Sequence, residues 1–235
     1  MTGSVGTTRA LASWSGGKDS CLAAHLAAEQ GLAVDRLLCA FEEGEDRSRS
    51  HALSSELVAA QARALGAKLV MPRADWPTYE SAFIAALQAC RADGYQDVVF
   101  GDIDLEPHRE WEEKVCAAVG VTPHLPLWEW PRRQVVEAIF DLRIEAVCVC
   151  VKAAFLPQSF CGRPYDRAFI ADLPAGVDAC GENGEFHTAV LNAPRFYAPI
   201  AAQVESVHSY TGPDAFGAQQ FFFARLALIA PEHAV

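Results

Sequence analysis

The densest chemistry in the chain is Ser15-Gly16-Gly17-Lys18-Asp19-Ser20, which follows a short apolar run and opens an amphipathic one. Two adjacent glycines allow a tight turn and a close approach of backbone to ligand. A helix starting there offers unpaired N–H groups and a favourable dipole to an anion. Lys18 adds a point charge, and Ser15 and Ser20 add hydroxyl donors. Together these residues describe a pyrophosphate cradle. It is not a Walker A loop, whose first glycine would fall at Ala12, and no G-x-G-x-x-G occurs anywhere.

Two further constellations carry charge. Phe100-Gly101-Asp102-Ile103 ends an apolar run, and ligands of open α/β sheets bind at the carboxyl ends of strands. Asp102 is therefore expected on the same rim as Lys18. Ser13 and Phe41, at the ends of the first two strands, and Gly101 are expected to line that nucleotide site with Ser15, Gly16, Gly17, Asp19 and Ser20. Arg109 and Glu113 follow on a helix as an i,i+4 pair; a solvated ion pair is the plain alternative to a substrate role. The third constellation, residues 176–188, interleaves glycines with Asp178, Glu182, Glu185 and His187. Carboxylates held so close repel unless they meet a metal, an amine or a cationic substrate. They could also orient ammonia or accept its proton, with Glu185 or Asp178 as candidates.

The elements that position these residues alternate. Residues 9–13, 34–41, 67–71, 97–100 and 145–151 read as strands; helices are expected near 18–30, 57–65, 83–87, 107–119 and 135–140. Gly66 sits where a left-handed helix cap is expected. Such alternation predicts a doubly wound parallel α/β sheet. Beyond residue 151, prolines and glycines break the rhythm. Two runs, 204–210 and 219–229, suggest an antiparallel pair across Thr211-Gly212-Pro213-Asp214, although the second could equally be helical. We expect a nucleotide-binding domain over residues 1–124 and a smaller substrate-binding, C-terminal region over 125–235.

Composition narrows the function. The chain has 235 residues, 51% hydrophobic and 21% charged, which excludes disorder as the main state. No stretch of about 18 apolar residues occurs, so no membrane span is expected. Residues 1–10 lack the apolar core of a secretory signal, which points to the cytoplasm. A net charge of −11 argues against wrapping nucleic acid. The eight cysteines include no Cys-x-x-Cys pair, so zinc and iron–sulfur sites lack support and buried thiols are expected.

The Ser15–Ser20 signature resembles the loop of the ATP pyrophosphatases, which cleave between α- and β-phosphates and transfer AMP. All three pieces together resemble the diphthine–ammonia ligase family of that class. The resemblance spans roughly residues 11–197 and includes His51, ten residues before Gln61-Ala62-Arg63-Ala64-Leu65-Gly66, and the segment Gly181-Glu182-Asn183-Gly184-Glu185-Phe186. It implies that ATP adenylates a carboxylate, diphthine in elongation factor 2 for the family, and that ammonia then displaces AMP. It implies Mg2+ on the phosphates, with Asp19 or Asp102 as ligands, and catalytic roles for Lys18, Asp102 and Glu185. It further implies substrate contacts from His51, Arg109, Glu113, Asp178, Glu182, Glu185 and His187. Arg109, Glu113 and Cys116 agree with the family, whereas its eukaryotic and archaeal ligases usually carry Arg where Trp111 stands and Glu where His187 stands. In this respect the chain resembles the bacterial branch, and the acceptor, small or protein-borne, is left open. No glutaminase segment is present, so ammonia comes free or from a partner; a homo-oligomer is compatible with the sequence. The rival readings are a sulfur transferase sharing the loop, which would need a catalytic cysteine, and a nucleotide sensor without turnover.

Overall fold

A computed structural model describes residues 8–49, 51–212 and 219–229. The first strand, β1 (Thr8–Ser13), carries Ala10, Leu11 and Ala12, all buried. An apolar run of this kind needs cover on both faces, which a parallel sheet with helices on each side provides. β1 lies between β2 (Leu32–Leu38) and β6 (Asp97–Val99), with β4 (Lys68–Val70) and β7 (Thr122–His124) outside them, all parallel. Alternation along β1 divides the core. Ala10 and Ala12 pack with Leu22 and Ala27 of α1 (Lys18–Glu29) and Leu57 and Val58 of α2 (Ser55–Leu65). Leu11 packs with Phe83 and Leu87 of α3 (Tyr79–Ala92) and Val115 of α4 (Glu106–Val119). The sheet is doubly wound, as expected.

The strand order β4-β2-β1-β6-β7 puts a reversal of chain direction at β1. The chain moves outward through β2 and β4, then returns to the other side of β1. Loops leaving the carboxyl ends of β1 and β6 therefore part, and the crevice between them is where ligands of such sheets sit. Gly66 closes α2 with φ +67°, and Ser54 opens it by accepting a hydrogen bond from Leu57 N at 3.3 Å.

Two expected strands are corrected. The strand placed over residues 34–41 stops at Leu38 and resumes as β3 (Phe41–Glu42), beside β5 (Arg73–Ala74). Pro72 on the neighbouring segment has no N–H, so the ladder lapses there. The strand around residues 145–151 does not join the parallel sheet. As β8 (Glu145–Lys152) it lies in a second, antiparallel sheet of order β10-β11-β8-β9, with β9 (Phe186–Asn192), β10 (Ala202–Thr211) and β11 (Gln220–Leu228). Its apolar character follows from being packed between this sheet's strands and the α1–α5 layer, where α5 is Arg132–Asp141. β7, too short and polar to mark itself, was not anticipated. The late pair is antiparallel, with Thr211 opposite Gln220; Pro213 and Asp214 of its connection lie outside the described residues. α6 (Arg167–Ala171) completes the helices of the described residues, and all eight cysteines are free and buried, as expected.

The second sheet is docked onto the first by hydrogen bonds. Val190 N donates to Gly16 O at 2.9 Å, and Lys18 N donates to Thr188 Oγ1 at 3.1 Å. Gln61, fully buried on α2, donates from Nε2 to both Gly16 O and Val190 O at 2.9 Å and accepts from Trp14 Nε1 at 2.9 Å. One amide thus satisfies three groups, two from the segment that follows β1 and one from β9. Replacing it with an apolar isostere strands Trp14 Nε1, at about 1–3 kcal/mol, and takes a hydrogen bond of about 1 kcal/mol from each carbonyl, although Gly16 O keeps its bond from Val190 N. Gln61→Leu is therefore expected to destabilise the fold by about 3 kcal/mol or more in a urea titration. A loss below about 1 kcal/mol would show that the amide is not the joint.

Candidate active site

The loop after β1 is shaped by its glycines. Gly16 has φ +83°, where a side chain would also drive into Leu53 and Gln61. A Cβ on Gly17 would lie 2.3 Å from His51 Cε1, so this position keeps room for the imidazole. Ser15 Oγ and Ser20 Oγ face each other at 3.1 Å, and Ser15 Oγ accepts from Gly17 N at 3.2 Å. Gly101, at the end of β6, passes so close to α1 that a Cβ would stand 2.7 Å from Ser20 N. That approach brings Asp102 beside the loop.

Lys18 does not project freely into solvent. It is 2% exposed, and its ammonium donates to Asp19 Oδ2 at 2.8 Å and Cys180 O at 2.5 Å, above the rings of Tyr165 and Phe186. Burial opposes its charge, but the neighbouring Asp19, helped by Glu182 and others, outweighs it and holds the ammonium protonated. Asp19 Oδ1 is buried without a hydrogen-bond partner. Burial pushes that carboxyl up, Lys18 pulls it down, and Asp102 adds to the upward push.

Asp102 accepts from His108 Nδ1 at 2.7 Å. Burial raises its pKa, yet hydrogen bonds from His108 and Glu112 prevail and hold it below the usual range. Glu112, 3% exposed on α4, is the reverse case: burial and then the Asp102 charge push it up to about 11. Glu112 is a neutral acid at pH 7, and its proton joins the two carboxyls. Sequence reasoning missed it because Arg109 and Glu113 beside it carry the obvious pairing.

The 176–188 segment sorts its carboxylates by direction. Both Glu185 oxygens face inward, accepting from Asp178 N, Asn183 N and Asn183 Nδ2 at 2.9–3.1 Å. Asp178 accepts from Cys180 N and from Arg132 Nε, and Arg132 also holds Asp104. Glu182 alone of the three lines the cleft. Burial, with Asp19 and Asp102 adding and Lys18 and Arg132 opposing, pushes it up to about 8. His187 and His51 stand 4.7 Å apart between ring centroids. His51 Nδ1 donates to Thr188 O at 2.6 Å. Burial keeps both rings neutral: His51 falls well below its usual value with help from His187, and His187 falls to about 4 with help from Lys18.

These groups share one cleft of about 770 Å³, within the range of small-molecule sites. Ser13, Ser15, Lys18, Asp19, Ser20, His51, Gly101, Asp102, Glu182 and His187 line it. Other expected residues do not. Phe41 is in the core. Arg109 pairs with Glu106 and Glu113 along α4, its guanidinium 4.8 Å from the Trp128 ring centroid. Asp178 and Glu185 shape the loop behind the cleft. Among the described residues, no group of three or more His, Cys, Asp or Glu side chains is placed to hold a metal unaided. Asp19 and Asp102 nevertheless suit Mg2+, which is commonly bound through one or two carboxylates with phosphates and water completing its shell.

Comparison with known proteins gives the family. Residues 8–123 match the diphthamide synthase N-terminal domain, and residues 131–211 match its C-terminal domain. The chain belongs to the diphthamide synthase family. It is 28% identical over 126 residues to a diphthine–ammonia ligase of Bos taurus, covering 52% of this chain and 47% of that protein. The Homo sapiens diphthine–ammonia ligase is 28% identical over 109 residues, covering 44% and 40%. The chain thus spans about half the length of the curated relatives it matches. No helix of the described residues is long and apolar enough to cross a membrane.

The acid pair makes stability depend on pH in a set direction. Folding raises Glu112 to about 11 and Glu182 to about 8, so the folded chain holds protons that the unfolded chain has released. Stability attributable to these groups is intact below the usual glutamate range and declines as pH rises from there, up to about 8 for Glu182 and about 11 for Glu112. Glu112→Gln keeps a donor toward Asp102 and removes one titration. Thermal melts from about pH 6 to about pH 9 should then show a shallower loss of stability than the parent chain. Parallel pH profiles would mean that Glu112 is already ionised in the folded protein.

Proposed function

We propose that this chain binds ATP at the Ser15–Ser20 loop and uses it to adenylate a carboxylate, which ammonia then converts to an amide. One observation carries the reading: the β1 loop, the β6 carboxylate and the 176–188 loop open onto a single cleft at the sheet's switch point. The relatives named diphthine–ammonia ligase support the same reaction type.

The roles follow from position. Ser15 and Ser20 hydroxyls and the start of α1 face the phosphates, and Lys18 acts from beneath as a fixed charge. Preorganised donors of this kind favour the charge that builds on a departing pyrophosphate. Asp19 and Asp102 would hold Mg2+, which supplies charge neutralisation on the phosphates. His108 and Glu112 keep Asp102 anionic and oriented. In the second half-reaction the amine nitrogen attacks the acyl carbon, AMP leaves, and the amine's proton needs an acceptor. Glu182, which burial pushes up to about 8, faces the cleft, so it takes that role in place of the inward-turned Glu185. The carboxylate acceptor, small or protein-borne, the ammonia source and the cytoplasmic setting belong to this proposal.

Sulfur transfer is disfavoured by the thiols. Cys180 reaches the cleft wall, but burial, together with Asp19 and Asp178, overrides Lys18 and Arg132 and pushes its thiol up to about 12. Cys161 is likewise pushed up to about 12 by burial. A protonated thiol is a poor nucleophile.

The assay is incubation with ATP, Mg2+, ammonium and a panel of carboxylic acids, following nucleotide and pyrophosphate. AMP and pyrophosphate should appear in equal amounts, and Asp102→Asn should slow both by about a hundredfold. Glu182→Gln should keep pyrophosphate release while losing amide. ADP as product would overturn the reading, and tight ATP binding without turnover for any acid would make the chain a sensor.

A further inference from the structure

The cleft has a side that holds none of the residues assigned to the phosphates. Its wall is aromatic. Tyr79 stacks on Trp111 with centroids 5.5 Å apart, and Trp111 meets Phe83 at 5.0 Å. Trp111 Nε1 donates to Glu80 Oε2 at 3.0 Å, which locks the ring. Trp76 stands at the lip, 74% exposed, an unusual place for the largest apolar side chain. The Arg49 guanidinium lies 4.2 Å from the Trp76 centroid and 5.5 Å from that of Tyr79.

Arg49 is the one arginine among the residues lining this cleft. It donates to Ala74 O at 2.7 Å, its Nε has no partner, and no carboxylate is within ion-pair distance of it among the described residues. Nearby Asp75 feels its charge, but the Asp75 carboxyl is turned to Thr78 N and Thr78 Oγ1. In a chain with 30 acidic residues, a cleft guanidinium without a carboxylate is set for an external anion. A guanidinium's planar fork suits a carboxylate, and flat rings beside it suit a flat body. The phosphates already have the β1 loop and Lys18.

We propose that Arg49, Trp76 and Tyr79 form the acceptor subsite, and that the acceptor is a carboxylic acid with a planar, unsaturated body. This rests on the ligase reading above. Arg49 holds the carboxylate end and the aromatic wall holds the rest, so the acid lies in the same cleft that the phosphate site opens onto. Small aliphatic acids fill only the guanidinium contact.

The experiment is calorimetric titration of the full chain with cinnamate, benzoate, butyrate and benzamide, with a separate titration of MgATP. Cinnamate should bind about tenfold or more tightly than butyrate, and benzamide, which lacks the charge, should bind weakly. Arg49→Ala should lose about tenfold or more for cinnamate with MgATP affinity unchanged, which also shows the variant is folded; Arg49→Lys should recover only part. Trp76→Ala should erase the preference for cinnamate over butyrate. Equal binding of cinnamate and butyrate, or an equal loss of MgATP affinity in Arg49→Ala, would overturn the subsite. Failure of the parent chain to bind MgATP would instead overturn the ligase reading, whatever the acids do.

Discussion

Everything in the cleft depends on β9 lying across the β1 loop. A glycine-rich turn has too little side chain to hold its own shape, and its two glycines cost more conformational entropy on folding than other residues would. Here the missing restraint comes from outside the first sheet. Val190 N, Thr188 Oγ1 and the Gln61 amide fix Gly16 and Lys18 from three directions. The same strand carries His187, and the turn before it carries Glu182, so one docking event shapes the loop and brings acid and imidazole opposite it. The second sheet is thereby part of the site and not an appendage to it.

The electrostatics follow from that closeness. Bringing Lys18 under cover is tolerable only because Asp19 and the Cys180 carbonyl accompany it. Crowding Asp19, Asp102, Glu112 and Glu182 into one wall is tolerable only because Glu112 keeps its proton and Glu182 titrates late. A chain of net charge −11 can thus face a polyanion, because screening confines the overall charge to about 8 Å and the local arrangement decides.

The sequence was most legible where backbone necessity and residue chemistry coincide. Gly16 and Gly17 after an apolar run, the Gly66 cap and the Asp102 rim could each be read from a local rule, and the doubly wound order followed from periodicity. What escaped depends on partners distant in the chain. β8 has the composition of a buried strand in either sheet, and only β9 and β11 decide which. Glu112 looks like a surface residue until Asp102 is beside it. Glu185 and Glu182 are indistinguishable as letters; the loop's own N–H groups claim the first and leave the second. Arg49 has no signal in its neighbours, because its meaning is the carboxylate it lacks.

The eight buried thiols have a consequence of their own. They are spread through the molecule, with Cys21, Cys90 and Cys116 on helices around the first sheet, Cys39 just past β2, and Cys148, Cys150, Cys161 and Cys180 around the second. Cys39 and Cys180 border the cleft, but the other six lie away from it, so oxidants and alkylating reagents reach those six only when the fold opens. A reagent that reacts at one of the six has caught a segment in the act of opening. Which sulfur it marks then tells which of the two sheets let go first.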